Sequence, residues 1–164
     1  TIGSIAYLSR NLPQMKKNIV AGFNLSCVGD DRTYSHVASP EGNNVADRIA
    51  RHVLKHLKPD FIQYSFLERG SDERQYCSPG VDLPVASLMR SKYGEFPEYH
   101  TSLDDLSCIS PDGLSGAYLA NQACIDVLEA NERLQATVLC EPWLSPRGLR
   151  PPLVDGKLLV DWSA

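Results

Sequence analysis

The sequence has no long apolar run, no basic cluster and no closely paired cysteines, and each absence argues against a class of protein. No run of apolar residues approaches the roughly 20 residues that cross a bilayer. Sixteen basic residues against twenty acidic ones give a net charge of −4, which argues against nucleic acid and anionic membranes as partners. The five cysteines show no C-x-x-C spacing. Reduced thiols in a cytoplasmic protein are therefore expected rather than disulfides or a structural zinc site.

Three common catalytic motifs are also missing. The sequence contains no glycine-rich phosphate loop, no G-x-S-x-G elbow and no H-E-x-x-H helix, so nucleotide transfer, serine hydrolysis and the commonest zinc-protease pattern lack support. The 164 residues, 43% of them hydrophobic, suffice for one core. The chain starts at Thr1 without a methionine and both ends interrupt apolar patterns, so we expect part of a longer protein.

Apolar patterns predict strands that alternate with helices, which is typical of an α/β sheet with helices on its faces. The predicted strands cover residues 19–28, 60–67, 83–89 and 135–140, and the first is expected to be central. The predicted helices cover residues 2–10, ended by Asn11 and Pro13, then 44–58, capped by Asn43 or Asn44, and 111–131, capped by Ser110. A proline-rich piece from Glu141 to Pro152 is the one linker-like segment.

Polar side chains concentrate between Leu67 and Leu106, in loops at the ends of two apolar runs. Loops at a sheet edge are common places for a binding site, although two plain surface loops would look the same. Asp72, Glu73 and Arg74 could orient a substrate or pair with one another. Asp30 and Asp31 follow the first strand, where carboxylates of α/β proteins often meet a ligand; a turn cluster is the alternative.

Histidines offer the other candidate ligands. A neutral His100 imidazole in its loop could bind a metal, with a nearby carboxylate fixing the ring tautomer, or could simply be a surface residue. His52 and His56 have the i, i+4 spacing of a metal pair but point away from the apolar face of their helix, which favours a solvated flank. His36 is not placed by the pattern.

Three motifs follow one another, namely Ser71-Asp72-x-x-x-Tyr76, Gly80-Val81-Asp82-Leu83-Pro84-Val85 and Tyr99-His100-Thr101-x-x-Asp104. In this order they resemble the closing half of zinc aminopeptidases of the bacterial leucyl-aminopeptidase type. The likeness is closer to bacterial aminopeptidase-like proteins often labelled polysaccharide-biosynthesis proteins, and it covers almost the whole chain. It includes Thr1-Ile2-Gly3-Ser4-Ile5, Gly29-Asp30-Asp31-Arg32, residues 70–77, Glu141-Pro142 and Arg147-Gly148-Leu149.

The resemblance implies a three-layer α/β sandwich with a mixed, mainly parallel central sheet and zinc at the carboxyl ends of its strands. It implies that His100 is the last zinc ligand, with Thr101 and Asp104 supporting its loop. A second ligand in the family is an aspartate just after a central strand. The strict register places Ser26 there, and shifted registers place Asp30 or Asp31.

The resemblance also implies a cleft for a small peptide-like substrate. The residues expected to line it are Asp72, Glu73, Arg74, Tyr76 and Tyr99. Glu73 stands where the family has a histidine. The other zinc ligands and the general-base glutamate of the family lie upstream, so no catalytic residue is expected within this chain, and the chain alone should bind zinc weakly.

The expected activity of the complete protein is zinc-assisted hydrolysis of an amide bond. The rival interpretation is a non-catalytic domain that recognises a peptide or glycan on a peptidase scaffold, and a third is a scaffold fragment that works only when docked to its other half. Residues 1–141 would form the carboxyl-terminal half of the aminopeptidase-like domain, and residues 142–164 a linker toward a further domain. A sheet edge left bare without the amino-terminal half predicts aggregation or homo-oligomers.

Overall fold

The computed structural model describes residues 2–132, 135, 137, 139–140, 143–149, 153–154 and 157–158. The chain divides into two compact units, Thr1–Asn131 and Glu132–Ala164. The second unit contains a short antiparallel hairpin, Leu153–Val154 with Lys157–Leu158. Of the strand predicted over 135–140, the described residues 135, 137, 139 and 140 are not in a strand, and the other two lie outside the described residues.

The first unit carries a four-stranded sheet and four α-helices. In chain order its elements are α1 (Ile2–Asn18), β1 (Gly22–Leu25), β2 (Ser35–Val37), α2 (Val45–Leu57), β3 (Ile62–Tyr64), α3 (Glu73–Tyr76), β4 (Val85–Met89) and α4 (Pro111–Ala130). The strand order is β1-β4-β2-β3. β1 pairs with β4 and β2 with β3 in parallel, whereas β2 and β4 are antiparallel. The predicted mixed, mainly parallel α/β sheet is confirmed.

Two helical layers cover the sheet, one on each face. On one face, Leu88 of β4 packs against α2 and α4 in a cluster with Leu54, Ala120 and Cys124. On the other face, Val85 packs with Leu8 and Met15 of α1 and with Cys77 and Leu83. Every residue of β4 is buried, which identifies it as the strand around which both layers form. Within the described part of the chain, no helix has the length and apolar character to span a membrane.

Local signals account for the start of α2 and of α4. Asn44 caps α2 in a reciprocal capping box with Asp47, and the buried positions Ile49, Val53 and Leu54 repeat at helical spacing. Ser110 caps α4 with its side chain, and Pro111 occupies the first helical position. Both helices therefore begin where the sequence predicts them.

Two predictions about these elements are wrong, and one strand was not predicted. α1 continues through Pro13 to Asn18; Pro13 and Ser9 both lie on the exposed side, so water can satisfy the carbonyl that the proline leaves unpaired. The first strand spans only Gly22–Leu25 and lies at the edge of the described sheet instead of its centre. β2 was missed because three residues carry too little pattern, and its burial comes from pairing with β4 and β3.

A buried contact between a histidine and an aspartate joins the sheet to α2. His36 of β2 and Asp47 of α2 are 1% and 0% exposed, and their Nε2 and Oδ1 atoms are 3.1 Å apart. The Asp47 carboxylate also accepts hydrogen bonds from the Ser39 amide and hydroxyl and from the Asn44 amide. Burial alone raises the pKa of Asp47, but the hydrogen bonds from His36 and Ser39 outweigh it and the net pKa is lowered.

We expect Asp47→Asn to lower the free energy of unfolding by about 3–5 kcal/mol at neutral pH, because it leaves buried donors without an acceptor. Since the folded pKa of Asp47 is depressed, its contribution is present above the unfolded pKa, near 4, and is lost as the pH falls through the folded value. Denaturant titrations between pH 7 and pH 2 should therefore show the gap between wild type and variant closing at acid pH. The exposed Asp60→Asn is the control, and a gap that persists unchanged at pH 2 would contradict this account.

Candidate metal and substrate site

Several predicted site residues, among them Asp30, Glu73 and Tyr99, lie near the carboxyl ends of β1 and β4, whereas Tyr76 contacts Leu83 just before β4 begins. Because these neighbouring strands are parallel, the segments that follow them, residues 26–32 and 90–93, leave the sheet at the same end, the carboxyl end of the two strands. Hydrogen bonds and ring contacts connect two further segments to them, residues 70–73 and 96–101. Three separate parts of the sequence, residues 26–32, 70–73 and 90–101, thus meet at one end of the sheet.

The carboxylate of Glu73 connects three parts of this site. Its side chain is 1% exposed. One oxygen accepts from the amides of Gly70 and Ser71, at 2.8 and 2.9 Å, and from the hydroxyl of Tyr93 at 2.8 Å. The other oxygen accepts from the side chain of Asn24 at 2.9 Å. Glu73, predicted to contact substrate, instead lies beneath the surface and shapes the loop that carries Ser71.

Tyr93 completes this network from the segment after β4. Its hydroxyl donates to Glu73 and accepts from the Gly70 amide at 2.7 Å. Burial, followed by the hydrogen bond and charge of Glu73, raises the pKa of Tyr93 far above its ordinary value. The phenol therefore stays protonated and keeps donating throughout the physiological pH range.

Asp30 and Asp31, the predicted alternative metal ligands, both have partners in the protein. Asp30 accepts from the amide and hydroxyl of Ser91, at 2.9 and 2.7 Å, and from the Arg32 amide at 3.1 Å. Asp31 accepts from the Ser110 hydroxyl at 2.9 Å. Each carboxylate thus fixes the segment after β1 to a neighbouring part of the fold.

An arginine joins the segment after β1 to the loop that carries His100. Arg32 makes a bidentate pair with Glu98, with N–O distances of 3.0 and 2.8 Å. The hydrogen bonds from Arg32 lower the pKa of Glu98. The pair is solvent-exposed, so its contribution to stability is small, but its fork geometry defines how the two segments face each other.

His100 is exposed and its backbone lies in the left-handed region, with φ of 56°. Its ring stacks on Tyr99 at 4.0 Å between centroids, and Tyr99 lies 6.5 Å from Tyr93. Thr101 closes a turn by donating its hydroxyl to the Glu98 carbonyl. A positive φ in a residue other than glycine costs energy, and such strain concentrates at functional positions.

Cys27 and Lys92 lie near the same edge. Cys27 also has a positive φ, 48°. Burial raises the pKa of its thiol; Asp30 and Asp104 act in the same direction, while a hydrogen bond with Ser26 and the charge of Lys92 oppose them. The thiol is thus protonated at neutral pH, and in this form it is a poor nucleophile.

A groove of about 370 Å³ runs beside β1, and two of the predicted substrate residues line it. Its lining includes Asp72, Tyr76, Met15, Ile19, Phe23 and Leu25. Asp72 accepts a hydrogen bond from Ser4 of α1 at 3.2 Å. Arg74 is exposed on α3, and Tyr99 packs among Tyr93, Phe96 and His100.

The donor groups fit a zinc site only in part. In the part of the chain that the structure describes, no group of three or more histidine, cysteine, aspartate or glutamate side chains could hold a metal ion. Catalytic zinc takes three protein ligands and a water. The exposed imidazole of His100 is suited to be one of them, whereas Ser26 offers no carboxylate and Asp30 is engaged by Ser91.

Solved structures place this fold among the aminopeptidases. An aminopeptidase from Aneurinibacillus sp. strain AM-1 is similar, with a TM-score of 0.60 and 22% identity over 86% of this chain and 32% of that chain. A zinc aminopeptidase from Bacillus subtilis is similar with a TM-score of 0.58 and 20% identity, over 79% of this chain and 32% of that chain. At these identities the likeness shows the fold alone, which is an aminopeptidase-like α/β domain.

The chain belongs to the family described as a domain of unknown function, DUF4910, whose model matches residues 1–131. A curated relative from Clostridium acetobutylicum, named a polysaccharide biosynthesis protein with aminopeptidase-like domain, is 43% identical over 91% of this chain and 34% of its own length. A crystal structure described as a peptidase from the same organism has a TM-score of 0.80 and 42% identity, over 90% of this chain and 35% of that chain. The chain therefore spans about a third of the length of these relatives.

Several residues of the site were missed by sequence reasoning. Asn24, Ser91, Lys92 and Tyr93 hold the segments together, yet none belongs to a motif that was singled out. Ser91, Lys92 and Tyr93 follow the buried strand β4 after one intervening residue, Arg90, and all four are buried. Polar residues that continue an apolar strand were the available signal, because such residues at the end of a central strand often face a site.

We expect Tyr93→Phe to lower the free energy of unfolding by about 1.5–3 kcal/mol, because a hydrogen bond to the buried Glu73 carboxylate is lost. Tyr118→Phe is the matched control, since Tyr118 is 67% exposed on α4. Equilibrium denaturation of both variants measures the difference. Equal stability of the two variants would show that the Tyr93 hydroxyl contributes nothing to the network.

Proposed function

We propose that the complete protein is a metal-dependent aminopeptidase-like hydrolase that cleaves an amide bond of a small peptide-like substrate, and that this chain supplies one zinc ligand, His100. The observation that carries the proposal is the position of His100. Its imidazole is exposed at the carboxyl-terminal edge of β1 and β4, on a strained backbone, in a fold shared with zinc aminopeptidases.

Thr101 and Glu98 support the position of His100. The turn closed by Thr101 shapes the backbone just after Glu98, and the Arg32–Glu98 pair ties this turn to the segment after β1. Stacking on Tyr99 restricts the orientation of the imidazole. Asp104 follows in the same loop, where its backbone amide donates to the Thr101 carbonyl, and its side chain is proposed to support the loop.

Zinc, when bound, would supply a Lewis acid that polarises the substrate carbonyl and activates a water. The residues of this chain would position both reactants. Asp72 and Tyr76 line the groove beside β1 and are proposed to contact the substrate together with Arg74 and Tyr99. Glu73 is proposed to act indirectly, by accepting hydrogen bonds from the Gly70 and Ser71 amides and so holding the backbone just before Asp72 in place.

We propose that the remaining ligands and the general base come from the rest of the protein. The support is that the chain spans about a third of its relatives and that β1 lies at the edge of the described sheet with Leu25 59% exposed. A further strand beside β1 would cover this edge and complete the cleft. A cytoplasmic location remains part of the proposal, in keeping with five free cysteines.

A non-catalytic peptide- or glycan-binding domain is the second candidate. Ser26 at the position of a ligand carboxylate favours it, as does the burial of Glu73 at the position of a family histidine. The two candidates differ in one measurable property, which is whether metal binding depends on His100.

We expect the longest expressible form of the protein to contain zinc, and His100→Ala and His100→Gly to lose it, by elemental analysis of purified protein. His100→Gly should also keep or slightly raise the melting temperature, because glycine adopts a positive φ without strain. Hydrolysis of aminoacyl anilides should fall together with the zinc content. His56→Ala, which removes an exposed histidine of α2, should change neither quantity.

Zinc retained in both His100 variants would overturn the role of His100. Zinc absent from the wild-type protein, when the upstream part is included, would favour the binding domain. Loss of zinc together with a collapsed melting temperature in His100→Gly would show that His100 is needed for folding instead of metal binding.

The uncovered edge of β1 also has a consequence for the isolated chain. We expect it to self-associate, because edge strands with exposed apolar side chains pair with one another. Leu25→Lys should reduce association in light scattering, whereas Leu119→Lys, which removes a similarly exposed leucine of α4, should not. A monodisperse wild-type monomer would contradict this expectation.

A further inference from the structure

We infer that Asp30 is a positioning residue that clamps the segment after β4, and that this chain therefore contributes one metal ligand instead of two. The inference rests on the proposed function for its reference to metal, and on the hydrogen bonds of Asp30 for its structural part. The inference concerns the loop after β1. If the sequence is aligned with the family motif in a shifted register, Asp30 or Asp31 takes the ligand position in place of Ser26.

Both oxygens of the Asp30 carboxylate accept hydrogen bonds. Oδ1 accepts from the Ser91 hydroxyl at 2.7 Å and the Arg32 amide at 3.1 Å, and Oδ2 accepts from the Ser91 amide at 2.9 Å. The Asp30 carbonyl accepts from Nε of Arg90 at 2.7 Å. A metal bound through this carboxylate would compete for its oxygens with hydrogen bonds that fix a segment 61 residues away in sequence.

The backbone of this loop is held from the opposite side as well. The Gly29 carbonyl accepts from the Ser110 amide at 2.9 Å, and a side chain at Gly113 would collide with the carbonyl oxygens of Gly29 and Asp30. α4 therefore packs directly onto the loop. For Asp30 or Asp31 to occupy the position of Ser26, the chain would have to slide along this loop. The contacts between the loop and α4 would then be lost.

A positive charge is fixed beside the same place. Lys92 is 6% exposed, its ammonium lies 4.9 and 5.0 Å from the ring centroids of Tyr64 and Tyr93, and it donates to the Tyr93 carbonyl at 3.2 Å. Its charge acts on the thiol of Cys27, the residue after Ser26, against the larger effects of Asp30 and Asp104. Lys92 also pairs with Glu95 at 3.4 Å, and it directly follows Ser91, so the hydrogen bonds from Ser91 to Asp30 also position the backbone of this buried lysine.

The test is made on the longest expressible form with Asp30→Asn, Ser91→Ala and the double variant. We expect Asp30→Asn to keep the zinc content of the wild type while its melting temperature falls by several degrees. Ser91→Ala should lower it too, and the double variant should fall by clearly less than the sum, because both changes remove the same contacts. Asp112→Asn, an exposed aspartate in the first turn of α4, is the control.

Amide hydrogen exchange distinguishes local positioning from a general loss of stability. In Asp30→Asn, exchange at Ser91, Lys92 and Tyr93 should accelerate more than exchange at the α2 core positions 49–54. Zinc lost from Asp30→Asn with an unchanged melting temperature would overturn the inference and make Asp30 a ligand. Additive effects of the two substitutions, or equal acceleration at all amides, would also overturn it. If the wild type holds no zinc, the proposed function fails, and the stability and exchange results still decide whether Asp30 is a clamp.

Discussion

The candidate site depends on how a buried carboxylate is satisfied. Glu73 is almost fully buried and its recorded partners are neutral donors from β1, from the loop before α3 and from the segment after β4. Losing any one of these donors would leave a buried charge less well solvated, which is costly. The three segments are therefore held together as a unit, and the positions of Asp72, Tyr93 and, through ring packing, Tyr99 follow from it.

Two further carboxylates in the first unit also join separate segments through hydrogen bonds. Asp47 ties α2 to β2 through His36, and Asp30 ties the loop after β1 to Ser91. In all three cases polar contacts join different segments of the fold, across 11 residues for Asp47 and His36, 49 for Glu73 and Asn24, and 61 for Asp30 and Ser91. Apolar burial on both faces of β4 supplies the bulk of the stabilisation. The polar contacts determine which loops face one another at the edge of the sheet.

The parts of the fold that were predictable from sequence are those with local signals. Asn44 and Ser110 predict where α2 and α4 begin, and the apolar run that ends at Met89 predicts β4. By contrast, Glu73 and Arg74 are neighbours of similar polarity, and only the distant Asn24 and Tyr93 determine which of them is buried. β2 is likewise a strand because of its neighbours in the sheet. The family resemblance identified the aminopeptidase-like fold and pointed to His100, whereas the roles predicted for individual site residues remain proposals.

The central claim is that His100 binds a metal ion near the carboxyl ends of β1 and β4, whereas Asp30 positions the segment after β4 through its hydrogen bonds with Ser91. Diffraction at the zinc absorption edge, from crystals of the longest form grown with zinc, tests it most directly. The account predicts an anomalous peak about 2.0–2.1 Å from a ring nitrogen of His100, with Asp30 still hydrogen-bonded to Ser91. A peak coordinated by Asp30, or zinc bound elsewhere with the His100 imidazole free, would contradict it.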